Sequence, residues 1–325
     1  MRFFVNYAFN MLKYGQKECG IGMSFTAQKV WIDGRLLNWN EANIHVTTHA
    51  LHYGTAVFEG IRAYKTAKGT AVFRLKDHIK RLYESAKIYM MDVPYSASEL
   101  TEAINQVIVS NNFQECYIRP IVFRGYGSLG VNPFKNPVTV AVIAWEWGSY
   151  LGEGDGVRCM VSTWRRINSQ SLPPQAKCSA NYANSALAKM EAVKNGYDEA
   201  IMLNTEGYVT EGTGENVFRV KEGMISTPPA SSGALRGVTR NTVMTLAEEL
   251  KIRVDRVNIS REELYTADEL FFTGTAAEIV SITEIDGRRI GNGKYLVTQR
   301  LKEAYRKLVH GETAGHEDWL VYVSS

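Results

Sequence analysis

Lys177 stands in the run Ser-Leu-Pro-Pro-Gln-Ala-Lys-Cys-Ser-Ala-Asn-Tyr, among small residues and five places before Tyr182. A lysine amine, with a pKa of ~10.4 in water, becomes a nucleophile only where burial or a neighbouring charge lowers that value. Ala176, Ser179 and Ala180 leave room beside it for a flat ligand. Downstream, Glu211 and Glu215 lie among glycines in Glu-Gly-Thr-Gly-Glu-Asn just before an apolar run. A buried carboxylate set against a pyridine nitrogen keeps that nitrogen protonated and makes the ring an electron sink. The segment Gly237-Val238-Thr239-Arg240 opens a helical pattern with apolar Val243, Leu246, Ala247 and Leu250, so its first N–H groups and the Thr239 hydroxyl would form a phosphate cup. Phe271 to Glu278 reads as a strand ending in small residues, where a ligand can approach the backbone. Singly, these are a solvated loop lysine, an acidic turn and a helix cap; together they specify pyridoxal phosphate.

Other patterns match motifs without meeting their physical requirements. Gly125 to Gly130 spells G-x-G-x-x-G, but Pro133 and Pro137 follow where a phosphate-facing helix would have to begin, so the segment is a loop between strands. His45, His49 and His52 would share a helix face, yet Ile44, Val46, Thr47 and Thr48 favour strand or irregular backbone, and no close carboxylate or cysteine completes a metal set. No metal is expected. Cys178 has no histidine nearby in sequence to activate it and reads as a free buried thiol.

The elements that must position these groups fall in two parts. Two hairpins come first, one across Asp33-Gly34 and one across Ala67-Lys68-Gly69. Helices follow over Leu75 to Met91 and, from a capping box at Ser96 and Glu99, to Asn112; Tyr117 to Phe123 and Val138 to Trp145 return to strand. Beyond a Gly-rich aromatic stretch come short strands with helices at Tyr182 to Lys194, Gly237 to Lys251 and Ser260 to Tyr265. The expected fold is α+β: an N-terminal extension over 1–23, a small α+β domain over 24–146, an interdomain loop at 147–155, and a larger barrel-like domain with peripheral helices over 156–325. With 325 residues, 45% hydrophobic, 22% charged and a formal charge of +3, the chain has a globular composition and no basic track for nucleic acid. Its longest apolar run, Val138 to Trp145, is too short to span a bilayer. Four scattered cysteines form no C-x-x-C pair, which fits a reducing cytoplasm. The Met1 to Gly22 segment has no small-residue cleavage site, and Met23 is a second candidate start.

From Lys29 onward the chain resembles the branched-chain amino-acid aminotransferases, class IV pyridoxal-phosphate enzymes of fold-type IV. The resemblance rests on His49-Ala50-Leu51-His52-Tyr53-Gly54-Thr55, Phe58-Glu59-Gly60-Ile61-Arg62, Tyr117-Ile118-Arg119-Pro120, Lys177 with Asn181-Tyr182, Glu211-Gly212 with Gly214-Glu215-Asn216, Gly237-Val238-Thr239-Arg240, and Gly274-Thr275-Ala276-Ala277-Glu278. It implies that Lys177 is the catalytic residue and covalent anchor of the cofactor, that Glu211 pairs with the pyridine nitrogen, and that Tyr182 bonds the phenolic oxygen. Arg81, Val238, Thr239 and Thr275 would hold the phosphate. Tyr117 with the Thr275 and Ala276 amides would take the substrate's α-carboxylate, Tyr53, Phe58, Trp147 and Tyr150 would form the side-chain pocket, and Arg119 would reach the γ-carboxylate of glutamate. The implied reaction is transamination of leucine, isoleucine and valine with 2-oxoglutarate by a homodimer or an assembly of dimers. Alternatives on the same fold are a D-amino-acid or (R)-amine transaminase and aminodeoxychorismate lyase. Cys178, Ser179, Ala180 and Arg236 depart from the residues common in the family and sit beside the expected cofactor.

Overall fold

The computed structural model describes residues 27–147 and 156–324. The extension expected over 1–23, and Tyr150, lie outside them. The first sheet is built from β1 (Lys29–Ile32), β2 (Arg35–Asn38), β3 (Ala56–Phe58), β4 (Ile61–Thr66), β5 (Gly69–Phe73), β6 (Cys116–Arg124) and β7 (Val138–Trp145). Both predicted hairpins are present, and the first turns through Asp33 and Gly34 with φ of 44° and 82°, as a tight two-residue hairpin requires. Helices α1 (His49–Tyr53), α2 (Leu75–Ile88) and α3 (Ala97–Ser110) accompany this sheet, with Ser96 and Glu99 forming the predicted capping box. The short α1 was hidden by the β-branched run before it; it ends at Gly54, whose φ of 66° suits glycine. One face of the sheet packs Ile61, Ile118, Val140 and Val142 against Leu82, Leu100 and Ile104 of α2 and α3.

The second sheet comprises β8 (Val157–Arg165), β9 (Glu199–Leu203), β10 (Val209–Gly212), β11 (Asn216–Lys221), β12 (Met224–Thr227), β13 (Val254–Arg256), β14 (Glu269–Gly274), β15 (Glu278–Ile285) and β16 (Arg288–Arg289). The order β10-β9-β8-β15-β14-β11, with β11 pairing back to β10, closes a six-stranded barrel. Closure leaves those strands no free edge, and Val161, Ile201, Val217, Leu270, Phe272 and Ile282 are among the apolar side chains of one of its cores. Helices α4 (Ser179–Lys194), α5 (Val238–Glu249), α6 (Arg261–Tyr265) and α7 (Leu296–Val309) lie around it. Helix α4 begins three residues before the predicted Tyr182, which places Lys177 immediately before its N-cap, Cys178. The chain then returns: β17 (Leu320–Tyr322) adds to the edge of the first sheet beside β5, so the C-terminal segment ties the two halves together. Among the described residues no helix is long and apolar enough to cross a membrane.

Candidate active site

The backbone of Lys177 is fixed from the first sheet's side. Its N–H donates to Ser85 Oγ on α2 at 3.1 Å, and its carbonyl accepts from Phe58 N–H at 3.0 Å. Asn181 closes the turn from the other direction, its Nδ2 donating to the carbonyls of Pro173 and Ala176 at 3.0 Å each. The side chain then points into a cleft between the sheets, where Nζ donates to Tyr182 Oη at 2.6 Å and lies 5.1 Å from the centroids of the Phe58 and Tyr182 rings. Cys178 turns the opposite way, into the first core, with Sγ 2.9 Å from Tyr89 Oη. That departure from the family pattern therefore does not line the cleft.

Glu211, on β10, lies deeper behind Lys177. Its carboxylate is engaged on both oxygens: Arg166 pairs with Oε1 at 2.9 Å, while Leu235 N–H and Asn216 Nδ2 donate to Oε2 at 2.9 and 3.2 Å. Asn216 also donates to the Leu235 carbonyl at 2.9 Å, which ties the Glu211 turn to the segment leading into α5. A Cβ on Gly237 would come within 2.1 Å of Asn216 Oδ1, so only glycine allows this approach at the N-cap of α5. Val238 and Thr239 open that helix, where backbone N–H groups lack intrahelical partners. Arg81 reaches the same place, donating from Nη1 to the Arg236 carbonyl at 2.9 Å.

Arg81 is held by a residue to which the sequence reading gave no role. Glu59, fully buried, takes two bonds from Arg81 at 2.6 and 2.7 Å and one from His78 at 2.8 Å. Burial alone would raise the Glu59 pKa, but Arg81 and His78 outweigh it and hold the carboxyl well below its usual range. The His78 imidazole is pushed below its usual value by burial, against the pull of Glu59. Glu59 lies inside a quoted motif, and His78 and Arg81 share a helix face at i and i+3; those were the available signals. Arg166 had none, being one of two adjacent arginines far from Glu211 in sequence.

The opposite wall is aromatic. Tyr117 stacks on Trp147 with centroids 4.6 Å apart, and Trp145 backs both. The Arg119 guanidinium lies 4.7 Å above the Phe58 ring, and its Nη2 donates to Tyr117 Oη at 3.3 Å. Gly60 is required here, since its Cβ would fall 1.9 Å from that hydroxyl. Thr275 and Ala276, in the turn between β14 and β15, complete the wall, together with Glu215. Burial, and then the charge of nearby Glu199, push the Glu215 carboxyl up to about 8. Tyr53 is not brought in: it lies on α1, 41% exposed, with its hydroxyl on the Leu129 carbonyl at 2.7 Å. The histidines bond Thr47, Thr55, Gly130 and Val46, and Gly125 to Gly130 is a loop after β6.

A lysine facing a tyrosine, a buried ion-paired carboxylate behind it and a helix N-terminus with an arginine beyond match the reactive, ring-nitrogen and phosphate ends of pyridoxal phosphate. Fold and site together thus define a cofactor enzyme of the fold-type IV class. Residues 56–285 match the family described as amino-transferase class IV, and the chain belongs to it. A Pseudomonas aeruginosa protein named branched-chain-amino-acid aminotransferase is 46% identical over 298 residues, covering 90% of this chain and 97% of its own. The Escherichia coli branched-chain amino acid aminotransferase superposes with a TM-score of 0.89 at 45% identity, covering 92% of this chain and 100% of that one. The enzyme of the same description from Thermobaculum terrenum, solved in its PLP form, gives 0.87 at 36% identity, covering 93% of this chain and 100% of its own.

Proposed function

We propose that the protein transfers the amino group of L-leucine, L-isoleucine and L-valine to 2-oxoglutarate, with pyridoxal phosphate held at Lys177. When bound, the cofactor withdraws electrons from the substrate Cα and carries the amino group from one substrate to the next. Glu211, anchored by Arg166, keeps the ring nitrogen protonated, and Tyr182 hydrogen-bonds the phenolic oxygen. Arg81, Val238, Thr239 and Thr275 hold the phosphate. Lys177, once its amine is free, takes the proton from the substrate Cα and returns it in the reverse half-reaction. Tyr117 and the Thr275 and Ala276 amides receive the α-carboxylate, while Phe58 and Trp147, with Tyr150, enclose an apolar side chain.

The observation that carries the reading is Arg119 lying 4.7 Å over the Phe58 ring, the same ring whose centroid is 5.1 Å from Lys177 Nζ. One surface then serves leucine through the ring and glutamate through the guanidinium, which pairs a carboxylate well. Arg119→Leu is expected to raise KM for glutamate and 2-oxoglutarate about a hundredfold, the scale of a lost charge-assisted pair, and KM for leucine only a few-fold. Equal effects on both substrates would remove Arg119 from this role.

The working unit is a homodimer or an assembly of dimers, in the cytoplasm. The face of the first sheet away from α2 and α3 forms an apolar hollow of about 610 Å³, bordered by Ile32, Ile44, Leu51, Ile121, Phe123 and Ile143. At its border Ile44 is 55% and Leu51 61% exposed, an apolar surface of the kind that a second copy would cover. Tyr53 shares α1 with Leu51, which borders this hollow, so assembly is what would bring it to a substrate pocket.

A further inference from the structure

The turn that offers the Thr275 and Ala276 amides is a three-residue hairpin loop, closed by the pairing of Gly274 with Glu278. Glu278 occupies the position after the loop where the chain turns left-handed, with φ of 55°. A left-handed backbone of this kind favours glycine, because a residue with a Cβ is strained there. A glutamate at this point therefore signals a use for its side chain. That carboxylate reaches across to the other sheet: Oε1 accepts from Arg62 Nη1 at 2.9 Å and from Tyr64 Oη at 2.8 Å, both on β4, and Arg62 also lies 5.0 Å over the Tyr64 ring. Arg62 is in turn the cross-strand neighbour of Tyr117 on β6. The turn amides and Tyr117 thus come from different sheets, and Glu278–Arg62 joins the residue directly after the first to the residue directly beside the second.

Resting on the aminotransferase reading, we infer that Glu278 is a positioning residue for the substrate's α-carboxylate, holding the Thr275–Ala277 turn in register with Tyr117 through Arg62 and Tyr64. It touches neither substrate nor cofactor. Because both substrates present the same α-carboxylate, its loss weakens both equally, unlike a change at Arg119. Glycine is the informative replacement, since it accepts the left-handed backbone and removes only the tether.

The test uses the holoenzyme and 4-methylpentanoate, a branched carboxylate without an amino group, as the binding probe. Glu278→Gly is expected to keep its melting temperature within about 3 °C and its cofactor content, yet to bind 4-methylpentanoate at least tenfold more weakly. Its KM for leucine and for glutamate should rise together, with kcat changed less than threefold. Glu278→Gln, which keeps an oxygen acceptor for Arg62 and Tyr64, should recover most of the affinity; if the glycine variant does not fold, Arg62→Met, which cuts the same tether from β4, should show the tenfold weakening in its place. Wild-type affinity in Glu278→Gly, or in Arg62→Met where the glycine variant does not fold, or weakening that only accompanies a large fall in melting temperature, would overturn the inference. Failure of the wild-type holoenzyme itself to bind 4-methylpentanoate or turn over L-leucine would instead sink the substrate reading, and the inference with it.

Discussion

Glu59 and Glu215 are both buried carboxyls near the same cleft, one from the first sheet's segment and one from the barrel, and their surroundings drive them apart. Glu59 has a guanidinium and an imidazole within 2.8 Å and is held well below the usual carboxylate range. Glu215 accepts from the Gly214 N–H at 3.0 Å, but its charged neighbour is Glu199, and it is pushed up to about 8. Glu199 has already taken the available cation, with Lys189 at 2.7 Å and the Thr213 hydroxyl at 2.7 Å. Burial acts in the same direction on both; the partner decides the charge. One wall of the cleft thus carries a fixed ion pair, and the other a carboxyl that its surroundings hold toward the neutral form.

The strongest way to break this contrast is Arg81→Ala, which strands the Glu59 charge in the core. Leaving one partner of a buried pair costs about 3–5 kcal/mol, so a large drop in denaturation midpoint and loss of cofactor on dialysis are expected. A midpoint within 1 kcal/mol of wild type would show that Glu59 does not depend on Arg81.

Titration should separate the two residues by sign. Below its ordinary value of 4.5, the unfolded chain protonates Glu59 while the folded chain does not, so that residue's stabilising contribution is lost as pH falls through the acid range. For Glu215 the folded chain retains a proton that the unfolded chain has released between about 4.5 and about 8. Its contribution is therefore full below that window and declines as pH rises through it, by at most one proton's worth, about 1.4 kcal/mol per pH unit. Urea midpoints measured from pH 3 to 9 check both limbs.

The smallest effect is expected from Glu215→Gln, an uncharged replacement of similar shape. At pH 6 it should change stability by less than about 1 kcal/mol, leave turnover within threefold, and flatten the alkaline decline. Loss of more than about 2 kcal/mol at pH 6 would mean that Glu215 works as an anion.

The site was legible where function writes itself into local sequence. Lys177 between alanine and small helix-opening residues, Glu211 among glycines and the Gly237 helix start could each be read because their chemistry needs backbone room next door. What escaped were partners chosen by folding: Glu59 meets Arg81 across 22 residues, and Arg166 meets Glu211 only because β8 and β10 flank β9 in the barrel. Hairpins and helices with caps emerged from their periodicity. Helix α7 carries a readable stripe at Thr298, Leu301, Tyr305 and Leu308, whereas the return of β17 to the first sheet has no local signature at all. Nor does the left-handed backbone at Glu278, since that residue type gives no hint of it.

The most direct measurement is the visible absorption spectrum of the purified protein saturated with pyridoxal phosphate, recorded before and after L-leucine and then after 2-oxoglutarate. The account predicts a yellow band that bleaches with L-leucine, returns with 2-oxoglutarate and is missing from Lys177→Ala. A band that ignores L-leucine but bleaches with D-alanine, or no band in the wild-type protein, would contradict it.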